Sequence, residues 1–179
     1  IEQSEGIYRV PQSWQSIKAF TFYGCANLEK VILPRTLTSI QHNAFAYSSL
    51  ESIDIPETVL SVGTYAFAFA SVLANVTLSS SIGTIPDSAF RGCALRTVTI
   101  PSTVTAIGEY AFAYNAALVN MTVTDSSRSG VDSPAQLREI GKFAFMGCSN
   151  LVSMALPNSV LDLGERCFED CRSMTSFVI

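Results

Sequence analysis

Histidine is almost missing from this 179-residue chain, with His42 the only one. Any Ser-His-Asp or Cys-His arrangement would have to pass through it. Charge is scarce as well: 15% of residues are charged, and 11 bases against 15 acids leave a net charge of −4. No Lys/Arg cluster offers the electrostatic footprint that nucleic acid or an anionic membrane surface demands. Apolar runs fall well short of the roughly 18 residues of a membrane-spanning helix. A P-loop and a G-x-G-x-x-G dinucleotide fingerprint are both absent. The first residues, Ile1 to Glu5, lack the basic start and apolar stretch of a signal peptide. The last, Phe177-Val178-Ile179, fall in a strand register rather than in a polar cap. Both ends lead us to expect a fragment of a longer chain.

What is present is a core-rich composition. Apolar residues make up 48% of the chain, too many for a disordered segment and enough for one domain with a sizeable core.

That composition is periodic. Phe22, Phe45, Phe67, Phe90, Phe112, Phe145 and Phe168 recur at spacings of 23, 22, 23, 22, 33 and 23. Thr21, Ala44, Ala66, Ala89, Ala111, Ala144 and Cys167 directly precede them. Five residues ahead of each Phe stand Ile17, Ile40, Val62, Ile85, Ile107, Ile140 and Leu163, often followed by Gly, as at Gly63, Gly108, Gly141 and Gly164. A second apolar set alternates with period two: Val31 and Leu33, Ile53 and Ile55, Val76 and Leu78, Val98 and Ile100, Met121 and Val123, Met154 and Leu156. Pro34, Pro56, Pro101 and Pro157 end four of these runs. Alternation stopped by Pro marks a short strand entering a turn, because Pro cannot donate to a following ladder.

One such unit buries little by itself, but stacked units place like residues over like and make continuous core columns. The pattern predicts an α/β-type repeat solenoid over residues 1–179, one domain of about seven coils of 22 or 23 residues. A parallel sheet forms one face, with short strands and single helical or 3-10 turns around each Ala-Phe on the other. Coils should stack at about 4.8 Å, the inter-strand spacing. The long interval between Val123 and Leu137 holds ten extra residues, mostly Ser and Asp with Gly130 and Pro134, which reads as a loop over 125–136.

The unit Leu-x-x-Val/Ile-x-Ile-Pro-x-x-Val-x-x-Ile-Gly-x-x-Ala-Phe-x-x-Cys resembles the BspA-like leucine-rich repeats. Leu95, Val98, Ile100, Pro101, Val104, Ile107, Gly108, Ala111 and Phe112 follow it almost throughout. Asn115 and Ser48 depart from it where Cys is usual, and so does the insertion. The resemblance implies a right-handed solenoid of surface proteins, associated with adhesion to host or matrix proteins, and no enzymatic activity.

Cys25, Cys93, Cys148 and Cys171 share one repeat slot, three residues after the frame Phe, which Ser48, Ala70 and Asn115 fill elsewhere. A slot open to Cys, Ser and Ala is a packing position, so reduced, buried thiols are expected. Cys167 and Cys171 stand four apart, but two thiolates make a poor zinc site. We expect no metal and no cofactor. His42 falls in a variable turn slot and reads as solvated. Glu165, Glu169 and Asp170, interleaved with Arg166 and Arg172, read as a solvated face.

Residues between the apolar positions of each strand point away from the core. They form an outward ladder: Lys30 and Ile32, Ser52 and Asp54, Asn75 and Thr77, Thr97 and Thr99, Asn120 and Thr122, Ser153 and Ala155. Thr suits exposed strand positions through β-propensity alone. As a whole, the ladder is the candidate ligand-binding face. Asn75-Val76-Thr77 and Asn120-Met121-Thr122 are also glycosylation sequons. Three functions follow. The first is a cell-surface or secreted module that binds a protein partner. The second is an intracellular scaffold subunit of a larger assembly. The third is binding to a regular solid through Thr77, Thr99 and Thr122, against which Ile32, Asp54 and Ala155 interrupt the column.

Overall fold

The computed structural model describes residues 6–124 and 135–178. Longer strands alternate along the chain with strands of two residues. The longer ones are β1 (Ile7–Arg9), β3 (Lys30–Ile32), β5 (Ser52–Asp54), β7 (Asn75–Thr77), β9 (Thr97–Ile100), β11 (Asn120–Val123), β13 (Ser153–Ala155) and β15 (Ser176–Val178). The short ones are β2 (Ser16–Ile17), β4 (Ser39–Ile40), β6 (Ser61–Val62), β8 (Thr84–Ile85), β10 (Ala106–Ile107), β12 (Glu139–Ile140) and β14 (Asp162–Leu163). Every pairing is parallel and joins equivalent residues of successive coils, such as Met121 with Val98 and Ile107 with Ile85. The long strands form two four-stranded sheets, β1-β3-β5-β7 and β9-β11-β13-β15; the short ones form β2-β4-β6 and β8-β10-β12-β14.

The period-two pattern has its expected consequence. In β9 Val98 and Ile100 are buried while Thr97 and Thr99 are exposed. The frame phenylalanines form one column of rings. From Phe22 through Phe168 each ring stacks on the next at 5.0 to 5.7 Å, with interplanar angles from 1° to 18°. Leu28, Leu50, Leu73, Leu95, Leu118 and Leu151 form a second buried column. The alternation of 22- and 23-residue coils is absorbed between these columns: five residues separate Phe90 from Leu95, and six separate Phe112 from Leu118. Both columns stay in register because the slack falls in the turn between them.

Two expectations need correction. Seven frame phenylalanines bound six full intervals, so the solenoid has about six turns rather than seven. The segment around each Ala-Phe is also not helical; among the described residues there is no helix. The residues two before and two after each frame Phe have positive φ. Examples are Asn43 (53°) and Tyr47 (57°) around Phe45, and Tyr110 (54°) and Tyr114 (61°) around Phe112. A left-handed residue every four positions stops a right-handed helix from propagating.

The amide pattern explains why this geometry is stable. Alternate N–H groups close turns within the coil, as Ala44 to Gln41, Ala46 to Asn43 and Ser48 to Phe45. The intervening ones reach the next coil, as Asn43 to Thr64, Phe45 to Ala66 and Tyr47 to Ala68. A helix would direct all of them inward to its own turn. Stacked turns use half of them to join neighbours, so the left-handed residues are compensated by inter-coil hydrogen bonds.

Candidate recognition faces

The outward ladder lies where the alternation places it. Lys30, Asp54, Asn75, Thr77, Thr97, Thr99, Asn120, Thr122 and Ala155 are exposed, and Ile32, Ser52 and Ser153 are half-buried. Register sets them side by side across the strands: Asn120 lies between Thr97 and Ser153, and Thr122 beside Thr99. The Thr99 and Thr122 hydroxyls lie 3.4 Å apart, and Thr77 donates to the Asp54 carboxylate at 2.7 Å. Both sequon asparagines are exposed on this face. Strand pairing stops between β7 and β9. A shallow hollow of about 260 Å³ opens there, lined by Thr77, Leu78, Ser80, Thr99, Pro101 and Thr124. The face is a short-chained, hydroxyl- and amide-rich surface with few charges.

On the far side of the Phe column the turns present a different surface, which the sequence reading did not single out. Phe20, Tyr65, Tyr110 and Phe143 stand two residues before their frame Phe, and Tyr47, Phe69 and Tyr114 two after. Tyr47 stacks on Phe69 at 5.0 Å, and Tyr110 on Phe143 at 4.8 Å. Phe20, Tyr47, Tyr65 and Tyr114 remain exposed. The available signal was a third and fourth column at fixed offsets from the frame Phe. His42 is exposed, as expected, and meets the Phe20 ring edge-on at 5.3 Å.

All five cysteines are free thiols. Cys93, Cys148 and Cys167 are buried, whereas Cys25 and Cys171 are only half-buried, so the expectation of burial holds for three of them. The shared slot has a definite task. The Cys93, Cys148 and Cys171 thiols each donate, at 3.2 Å, to the carbonyl of the frame Phe one coil earlier: Phe67, Phe112 and Phe145. Ser48 instead donates to Phe45 of its own coil, at 2.8 Å. Burial pushes the Cys148 thiol up to about 12, with Cys171 nearby adding to the effect, and raises Cys167 and Cys171 to about 11. Such thiols are poor nucleophiles at neutral pH. The acidic group near the last frame Phe is solvated as expected. Arg166 pairs with Glu165 and Glu169 at 3.6 Å, and Arg172 with Asp170 at 3.3 Å, with exposed side chains. The loop expected over 125–136 falls largely outside the described residues.

Parallel coils with one long strand each, a buried leucine column and a polar strand face define a leucine-rich repeat solenoid. The model of the BspA type leucine rich repeat region matches residues 7–119 and 124–179 in six copies. The chain belongs to that family. Solved structures share the fold. The pneumococcal vaccine antigen PcpA has a TM-score of 0.70 at 22% identity, covering 97% of this chain and 50% of its own. A leucine rich repeat protein of T. pallidum has a TM-score of 0.57 at 20% identity, covering 96% of this chain and 79% of its own. One from Eubacterium ventriosum has a TM-score of 0.54 at 19% identity, covering 97% and 66%. This chain thus spans half the length of the pneumococcal protein. No curated protein sequence matches it.

Proposed function

We propose that this chain is a protein-binding module of a cell-surface or secreted protein, without catalytic activity, and that it engages its partner through the strand face. One observation carries the reading. The ladder from Lys30 to Ala155 is exposed at all but Ile32, Ser52 and Ser153, which are half-buried; it spans both long-strand sheets and is built mostly of short uncharged polar side chains. Such a surface can be covered at little desolvation cost, because few charges must be stripped of water. Its side chains also lose little rotamer entropy on contact. Membership of a repeat family, and a vaccine antigen among the proteins that share the fold, are in keeping with this role.

The test is a double substitution. Thr99→Arg with Thr122→Arg places two long cations at the middle of the face, where each side chain is exposed. Binding to a panel of immobilised matrix and cell-surface proteins should be lost, with a melting curve unchanged within about 0.5 kcal/mol. The control pair Thr84→Arg and Glu139→Arg, exposed on β8 and β12, should bind as the parent does. Binding that survives the first pair and fails with the second would move the site off the strand face.

A further inference from the structure

Between Phe20 and Phe143 the aromatic series on the turn face has one interruption. The third coil presents Tyr65 and Phe69 at its left-handed positions, and the fifth presents Tyr110 and Tyr114; the fourth has Ser88 and Gly92 there instead. A side chain at position 92 would strike the Phe69 ring, 2.7 Å from where a Cβ would sit. The gap is filled by Arg91. Its Cζ lies 5.5 Å from the Phe69 centroid, 4.8 Å from Tyr110 and 5.2 Å from Tyr114.

These rings shield the cation and attract it through their quadrupoles, but they offer no lone pair in the plane of the fork. The ion pairs among the described residues involve Arg166 and Arg172, not Arg91. The Arg91 Nε is buried without a hydrogen-bond acceptor. The rings enclose that nitrogen, so an anion would meet the rest of the guanidinium, which has no carboxylate partner among the described residues and whose N–H groups a planar carboxylate matches two bonds at a time. From residue 63 to 118 the only basic residues are Arg91 and Arg96. A single cation suits a single carboxylate and gives a polyanionic glycan nothing to run along. An arginine held between the half-buried Phe69 and Tyr110 and the exposed Tyr114 also has the composition of an interface anchor.

We propose that the turn face carries a second recognition site, a notch centred on Arg91, which takes an acidic side chain from an aromatic-rich segment of a partner protein. It sits on the turns around Phe90 rather than on the long strands and does not depend on the strand-face reading.

The probes are the peptide acetyl-Tyr-Glu-Tyr-Glu-Tyr-amide and its Gln counterpart, each labelled for anisotropy and titrated into the whole chain. We expect saturable binding of the Glu peptide, weakened about ten-fold or more by Glu→Gln in the peptide and equally by Arg91→Gln in the protein. In the parent protein the Arg91 Nε–H proton resonance should shift on titration; this readout requires no variant to fold. Tyr114→Ala should weaken binding, and Thr99→Arg with Thr122→Arg should leave it unchanged, which separates this site from the strand face. Equal binding of the two peptides would overturn the proposal. So would an unshifted Nε–H at saturating peptide, or tighter Arg91-dependent binding of a heparin oligosaccharide.

Discussion

Phe112 shows how much one residue carries in a stack. It is fully buried and packs on Phe90 at 5.5 Å and on Phe145 at 5.4 Å. Phe112→Ala should cost about 3–5 kcal/mol, because neither neighbouring ring can close the gap without leaving its own coil. Chemical denaturation measures this directly. Asn115 is a subtler case. Where the leucine stands six positions after the frame Phe, its N–H closes a turn to the residue three before it, as Leu118 does to Asn115 and Leu151 to Cys148. The short coil before Leu95 lacks the residue that permits this, and the Leu95 N–H is taken instead by the Asn115 side chain at 3.2 Å. The Asn115 amide also donates to Phe90 at 2.7 Å and Phe112 at 2.8 Å. Asn115→Ala should therefore lose about 1–3 kcal/mol, read from the same denaturation midpoint, because it orphans buried groups rather than exposed ones. The thiols give a pH signature. Their folded values lie above the free value of 9.0, at about 11 for Cys167 and Cys171 and about 12 for Cys148. A raised folded pKa contributes stability that is complete below the unfolded value and is lost as pH rises toward the folded one. Melting temperature should fall between about pH 9 and pH 12. Replacing Cys148 by Ser should flatten that fall; an unchanged slope would remove this thiol from the explanation.

Elements in this fold are held together at distances that exclude side chains. A Cβ at Gly141 would lie 2.8 Å from the Glu109 nitrogen and the Gly108 carbonyl carbon, whereas one at Gly83 would meet nothing within 4 Å. Gly141→Ala should thus destabilise by about 1–3 kcal/mol, and Gly83→Ala should be neutral or slightly stabilising; a thermal melt of the pair tests this. The same contrast marks what could be read from sequence. The strands were legible because a buried face and a solvated face impose period two on Val98, Thr99 and Ile100. The columns were legible because stacking repeats one environment every 22 or 23 residues. The turns were not, because an Ala-Phe pair packs inward equally well from a helical turn and from linked turns with left-handed residues. The decisive cue was local: Gly24, Asn43, Gly92, Gly147 and Asp170 occupy the left-handed positions and are residue types that tolerate them. Tyr and Phe at the same offsets concealed it. The strand ladder was legible as exposed positions, but the Arg91 notch was not, since it depends on what the coils before and after supply.

At the scale of the whole molecule each coil meets only its neighbours. Its hydrogen-bonding partners lie one repeat away, as Phe90 to Ala111 and Phe67 to Ala89. Stability is then close to a sum over coils and the interfaces between them. The insertion before Leu137 lengthens the chain between Cys148 and its acceptor on Phe112 to 36 residues, against 26 for Cys171 to Phe145. Closing the longer loop costs only a few tenths of a kcal/mol more, because closure entropy grows with the logarithm of length. The stack accommodates it without losing the ring contact between Phe112 and Phe145 at 5.4 Å. The alternating amides have a wider consequence. Because a coil gives half its turn N–H groups to its successor and accepts the same number from its predecessor, a whole coil can be spliced in or cut out with every remaining joint intact. Length then becomes a heritable dial with notches of about 5 Å, the inter-strand spacing. A lineage can reset the reach of this protein by recombination between its own repeats, with the same kind of backbone joint re-formed at each new seam.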